Sequence, residues 1–274
     1  HDLSPELYAV KFGGGRGLLY RLLLRLERAS FAVADVAIAT NESHKSVAVE
    51  RGGMAAERVF IVRSGPDLDR FERYVADQAW KRGKPFLIVY LGEIASQDGV
   101  DGLVRAARVL RDDLGRNDFH CVVIGGGVQQ PIVKAYAEEL GVDDLFTFTG
   151  VVSDDELCRI LSSADIGIDP VPHNDWSDRS TMNKIMEYMY FGLPVVAHDL
   201  TEARFSAQDA AVYANSNSDA DLARVISDLL DDPDQRQKMS EFGVRRVEEE
   251  MAWEHSIPAL LDAYEKVFND SVPT

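Results

Sequence analysis

Residues 170–187 hold the side chains best suited to grip an anion. Arg179 and Lys184 bring positive charge to a strongly acidic chain. Ser180 or Thr181 is placed to N-cap a helix over residues 185–192. The first-turn N–H groups of that helix, with its dipole behind them, would then face a phosphate or diphosphate. Glu187 lies further along the same apolar helix. A carboxylate there needs partners, and the paired hydroxyls of a ribose would serve. Taken alone, Glu187 reads equally well as one half of a structural ion pair. Loop, cap and carboxylate together favour a ligand.

Two further loops follow apolar runs. Gly125-Gly126-Gly127-Val128-Gln129-Gln130 supplies the first two glycines of G-x-G-x-x-G, but Gln130 stands where the third belongs. That fingerprint belongs to a domain's first β–α turn, with an acidic residue roughly 20 positions on. Here the loop follows the second strand of its domain, and the next strand ends Phe148-Thr149-Gly150. It therefore reads as a tight strand-to-helix turn whose backbone can approach a phosphate, not as a nicotinamide or flavin site. The other loop spans residues 92–99. No metal site is expected. Cys121 and Cys158 are far apart, no H-x-E, DxD or His/Cys cluster offers a convincing set of ligands, and Asp231-Asp232-Pro233-Asp234 reads as a solvated turn.

The elements that must position these loops alternate in β/α order, which implies parallel strands covered by helices. Helices are expected over 16–34, 41–52 and 100–114, from after Gly127 to 140, over 153–163 and up to 192. Strands are expected over 35–40, 59–62, 86–91, 121–124, 146–148, 165–169, 194–197 and 211–213, followed by acidic surface helices and a last helix from Trp253 to about Phe268. Ser153 and Glu156 form a capping box. Residues 73–84 are polar and read as a linker. Residues 85–250 then form one complete doubly wound domain. Residues 1–72 carry only about two β/α units, too few to close a sheet alone, and the chain reads as if cut from something longer. In open sheets of this kind ligands bind beyond the carboxyl ends of the strands.

The chain has 274 residues, with 29 Lys+Arg against 46 Asp+Glu and a net charge of −17. That balance argues against a nucleic-acid partner, which calls for a basic face. Two cysteines and the lack of a signal pattern point to a reducing, cytoplasmic compartment. No run reaches the roughly 18 apolar residues of a membrane span. Arg21, Arg25 and Arg28 on the first long helix suggest a peripheral contact with the inner face of the plasma membrane, although three charges on one helix usually mark a solvated face.

The order of these pieces resembles the retaining glycosyltransferases of family 4, with their GT-B fold of two facing Rossmann-like domains. Val62-Arg63-Ser64-Gly65-Pro66-Asp67 is similar to that family's domain junction, with Ser64 where Asn is usual. Tyr90-Leu91-Gly92, Val123 to Gly127, Phe146 to Gly150 and Ala164 to Pro170 resemble its donor-domain strand ends. Glu187-Tyr188-Met189-Tyr190-Phe191-Gly192-Leu193-Pro194-Val195-Val196-Ala197 resembles the second half of its E-x7-E signature and the strand that follows.

The resemblance implies an N-terminally truncated enzyme. Residues 1–72 would be the end of the acceptor domain, 85–250 the nucleotide-sugar domain, and 251–274 a helix crossing back. The reaction implied is transfer of a sugar, with retention, from a UDP- or GDP-linked donor to a glycan or lipid-linked acceptor, as in bacterial envelope polysaccharide synthesis. No cofactor is implied. Glu187 would bind the ribose, and the backbone of Thr181, Met182 and Asn183 the sugar and diphosphate. Gly150 and Val151 would line the base pocket. Gly92, Gly125 and Gly127 would sit beside the donor, and His1 would be the catalytic-site histidine.

Three further positions depart from the family pattern. The first Glu of E-x7-E falls at Arg179, with Asp178 as a substitute partner for sugar hydroxyls. The family's Arg and Lys after the first donor-domain strand align with Glu93 and Asp98. Diphosphate charge would then rest on Arg179, Lys184 and the helix dipole. The alternatives are a GT-B nucleotide-sugar epimerase or hydrolase, or an inactive nucleotide-sugar-binding fragment.

Overall fold

A computed structural model describes residues 3–13, 16–215 and 217–271. His1 lies outside the described residues. The chain opens with α1 (Ser4–Lys11) and α2 (Leu18–Val33), then β1 (Ala37–Ala39), α3 (Glu42–Ser46) and β2 (Val59–Ile61). β1 and β2 pair in parallel as a two-stranded sheet. Both are shorter than their apolar runs suggest. The helix expected over 41–52 is α only to Ser46 and widens into a π-turn over Val47–Arg51.

The larger half follows in strict alternation. Its elements are β3 (Phe86–Leu91), α4 (Val100–Asp112), β4 (Phe119–Ile124), α5 (Gln130–Glu139), β5 (Phe146–Gly150) and α6 (Asp154–Ser163), then β6 (Ile166–Asp169), α7 (Asn183–Tyr190), β7 (Val195–His198), α8 (Thr201–Ala207) and β8 (Ala211–Ala214). Helices α9 (Asp219–Asp231), α10 (Pro233–Arg246) and α11 (Ile257–Ser271) close the chain. The six strands are all parallel, in the order β5-β4-β3-β6-β7-β8.

Both faces of this sheet are covered, so its central strands read as unbroken apolar runs. Leu87, Ile88, Val89 and Tyr90 of β3 are all fully buried. Ile88 and Tyr90 face a core shared with α4 and α9, and Leu87 and Val89 face one shared with α6 and α7. The capping box operates in part, since Ser153 Oγ accepts from the Glu156 N–H.

Residues 73–84 hold no strand. Their backbone is tied to α6, with Tyr74 N–H donating to Ser162 Oγ and Asp77 N–H to Ser163 Oγ, both at 2.9 Å. After α10 the chain passes back over the first half. Trp253 N–H donates to Pro66 O at 3.0 Å, and α11 packs on β1 and β2.

The strand order places the site. The chain builds outward from β3 through β4 to β5, then returns to β6 on the other side of β3. The loops leaving β3 and β6 therefore diverge, opening a crevice at their carboxyl ends where ligands of such sheets bind.

Candidate functional site

The β3 side of the crevice is built from backbone. Gly92 N–H donates to Ile124 O at 3.0 Å, Ile94 N–H to Gly126 O at 2.9 Å and Gln129 N–H to Ile94 O at 3.0 Å. A Cβ at Gly125 would collide with Gly92 O, and one at Gly127 with Ile94 O. Gly125 also takes φ +123°, which disfavours any other residue. These two glycines are thus required by the approach of two loops, as a tight turn demands. Gly150 ends β5 at the rim and Val151 follows it, almost fully exposed.

The β6 side carries the charge. The expected cap is corrected: α7 begins at Asn183, its N-cap is Met182, and no side chain caps it. Ser180 Oγ instead donates to Trp176 O at 2.7 Å. Thr181 Oγ1 accepts from Asn41 Nδ2 at 2.9 Å. Both hydroxyls precede the N-cap Met182, by two residues and by one, and neither caps α7. Asp178 is committed too, its two oxygens accepting from Thr201 N–H and Oγ1 at the start of α8.

Lys184 and Arg179 are not free cations. Lys184 is buried, and its Nζ lies 3.2 Å from Asp169 Oδ1 and 4.8 Å from the centre of the Tyr90 ring. Burial opposes its charge, but Asp169, Tyr90 and Asp98 outweigh that and hold its pKa above the ordinary lysine value. Its Cε would touch a side chain on Gly92, so the ammonium lies directly beneath the end of β3. Arg179 is partly exposed and pairs with Glu6 of α1 at 3.6 Å.

Carboxylates surround this lysine. Asp169, at the end of β6, has no exposed surface, and its Oδ2 has no hydrogen-bond partner. Burial pushes the Asp98 carboxyl up, against the pull of Lys184 and the Ala95 N–H it accepts at 3.0 Å. Glu93 is exposed.

Glu187 lies one turn inside α7. Its carboxylate makes no hydrogen bond or ion pair among the described residues, although it is half-buried. Burial raises its pKa, offset by Arg70 and Lys184. It opens onto a cavity of about 330 Å³ between the two halves of the chain, with Ser64, Arg70, Asn183 and Trp253 among the lining residues.

The structure therefore gathers Gly92, Lys184, Met182, Asn183 and Glu187 around the crevice, with Gly125, Gly127, Gly150 and Val151 along its rim. Sequence reasoning missed Asp169, Tyr90, Arg70 and Asn41. Asp169 left a signal, a charged residue closing an apolar strand run. Arg70 and Asn41 left none that pointed across the chain.

Known proteins share this fold. The family model described as "Glycosyl transferases group 1" matches residues 85–232. A D-inositol 3-phosphate glycosyltransferase from Thermomonospora curvata is 29% identical over 252 residues, covering 85% of this chain and 57% of that protein. A 2-deoxystreptamine glucosyltransferase from Streptomyces kanamyceticus is 29% identical over 245 residues, covering 85% of this chain and 61% of that protein. The chain thus spans about three-fifths of the length of these relatives. Among solved structures, sucrose-phosphate synthase from Thermosynechococcus elongatus superposes with a TM-score of 0.81 at 18% identity, over 97% of this chain and 66% of that one. Anabaena HepE in complex with UDP-glucose superposes with a TM-score of 0.76 at 15% identity, over 91% of this chain and 68% of that one. The fold is that of the GT-B glycosyltransferases.

Proposed function

This chain belongs to the glycosyl transferases group 1 family, and on that premise we propose that it forms the donor-binding part of a sugar transferase. The reaction is transfer from a UDP- or GDP-linked sugar to a glycan or lipid-linked acceptor, with retention of configuration. The observation that carries this reading is Glu187. It is a half-buried carboxylate whose side chain has no partner among the described residues, one turn inside a helix that no side chain caps. A ribose supplies two hydroxyl donors to such a group, and a diphosphate one turn away meets the open N–H groups and dipole of α7. The UDP-glucose held by Anabaena HepE is a ligand of this kind.

Counter-charge for the departing diphosphate comes from Lys184, beneath Gly92, together with α7's N-terminus. Arg179 contributes only if it leaves Glu6. The acidic Glu93 and Asp98 add no support for the leaving group. His1 remains the proposed catalytic-site histidine on the resemblance alone. Along α2, Leu18, Leu22 and Leu26 are exposed, and Arg21, Arg25 and Arg28 lie on the same helix. This combination supports a peripheral contact with an anionic membrane surface.

Titration calorimetry with UDP, GDP and ADP tests the donor assignment. Binding of a uridine or guanosine diphosphate is expected, and the absence of binding by all three at millimolar concentration overturns it. Donor turnover without any acceptor would point instead to a hydrolase or epimerase on the same fold.

A further inference from the structure

The segment leading into α7 is held by a residue from the opposite half of the chain. Asn41 follows β1 and is fully buried. Its Oδ1 accepts from the His44 N–H at 2.7 Å and so caps α3. Its Nδ2 donates to Arg179 O at 2.8 Å and to Thr181 Oγ1 at 2.9 Å. Both amide hydrogens are thus spent on the stretch between the turn Ser177–Arg179 and the start of α7.

The carboxamide is planar, with its acceptor fixed by α3. It has no freedom to follow the segment if the two halves separate. Two other bridges flank it, Glu6 to the Arg179 side chain at 3.6 Å and Ser43 Oγ to Glu202 Oε1 at 2.6 Å. Neither holds the main chain of the segment. Asn41 alone among these bridges grips a backbone carbonyl there.

We infer that Asn41 is a positioning residue for the donor site, whose single carboxamide sets the conformation of residues 179–182 only while the two halves are closed. Opening the cleft breaks two hydrogen bonds at once and frees the residues that precede α7. Nucleotide binding at α7 and closure of the halves then favour one another, and the coupling is reciprocal. This rests on the reading that α7's start and Glu187 receive the nucleotide.

Asn41→Asp separates the two functions of the side chain. It keeps an oxygen to cap α3 but places a carboxylate oxygen against Arg179 O. Thr181→Val removes one of the two bonds from the other side and serves if the first variant does not fold. Two measurements on the intact chain decide the matter. Amide exchange over residues 177–184 is expected to quicken about three- to tenfold in either variant, with α3 unchanged in Asn41→Asp, as loss of a partly buried hydrogen bond dictates. The affinity for whichever of UDP or GDP binds the wild-type chain is expected to fall by a similar factor. That nucleotide should also slow exchange around His44 in the wild type, and not in Asn41→Asp.

Unchanged exchange over 177–184 overturns the inference. So does quickened exchange with unaltered nucleotide affinity, because the segment would then be held without consequence for the site. If the wild-type chain binds no nucleotide, the donor assignment fails as a separate result, and the inferred role in the donor site falls with it.

Discussion

The two halves of the chain obey the same β/α grammar and end in opposite states. In the larger half, β3 is buried on both faces, with four consecutive residues fully inaccessible. In the smaller half, α2 has an equally clear amphipathic pattern and not one buried residue. Leu18 is 84% exposed and Leu26 54%. Periodicity therefore shows that an element has an apolar side. It does not show that anything packs on it, because burial depends on how many layers the rest of the chain supplies. Six strands with helices on both faces complete a core, and two strands do not.

The contrast can be broken most severely in the larger half. Leu87→Ala leaves a cavity in a sealed core and should cost about 2–5 kcal/mol in chemical denaturation. Lys184→Met should cost about 3–5 kcal/mol, because it strands the Asp169 carboxylate without its counter-charge. The double variant Lys184→Met/Asp169→Leu should recover most of that loss. A double variant no more stable than the single one would show that the ion pair is not what holds the β6–α7 junction.

Glu187 sets function against stability. Its folded pKa is raised by burial, so the folded state is penalised when the group ionises. Below the ordinary carboxylate range both states are protonated and the penalty vanishes. It develops as pH rises through the raised folded value and persists above it. Glu187→Gln should therefore melt higher than the wild type at pH 7 and equally at low pH. Glu187→Ala should weaken nucleotide binding at least about tenfold if the carboxylate accepts both ribose hydroxyls. Glu93→Ala, at an exposed loop position, should change it little, and equal effects would refute the site map.

The smallest expected effect lies in the smaller half. Leu22→Ser on α2 should shift stability by no more than about 0.5 kcal/mol, as at other exposed positions. The same change should reduce sedimentation with anionic lipid vesicles if α2 meets a membrane. Unaltered sedimentation would leave α2 as a solvated helix in this chain.

Much of the larger half was legible along the chain. The apolar runs of β3, β4 and β6, the amphipathic α4 and the Ser153 cap are local signals, and they appear where expected. The glycines at 125 and 127 were read as a tight turn, and the loop contacts give the reason. The helix at 185–192 was also legible, but its cap was not. A hydroxyl one or two residues early looks the same in one dimension as one at the N-cap. Its partner is chosen by the local path of the chain, here a turn that spends Ser180 on Trp176 and leaves Thr181 to Asn41.

What the amino-acid order determined was the alternation of elements, the parallel sheet and the location of the crevice, because each follows from period, propensity and the rule for strand ends. It also marked Arg179, Lys184 and Glu187 as the groups of interest. Only the tertiary structure decided their condition. Lys184 is bound to Asp169 at the end of β6, Arg179 is turned toward Glu6 in the other half, and of the three only the Glu187 carboxylate has no partner among the described residues. The charge balance of a site depends on which groups meet in space. Coulomb attraction acts over a few ångströms, whatever the distance along the chain.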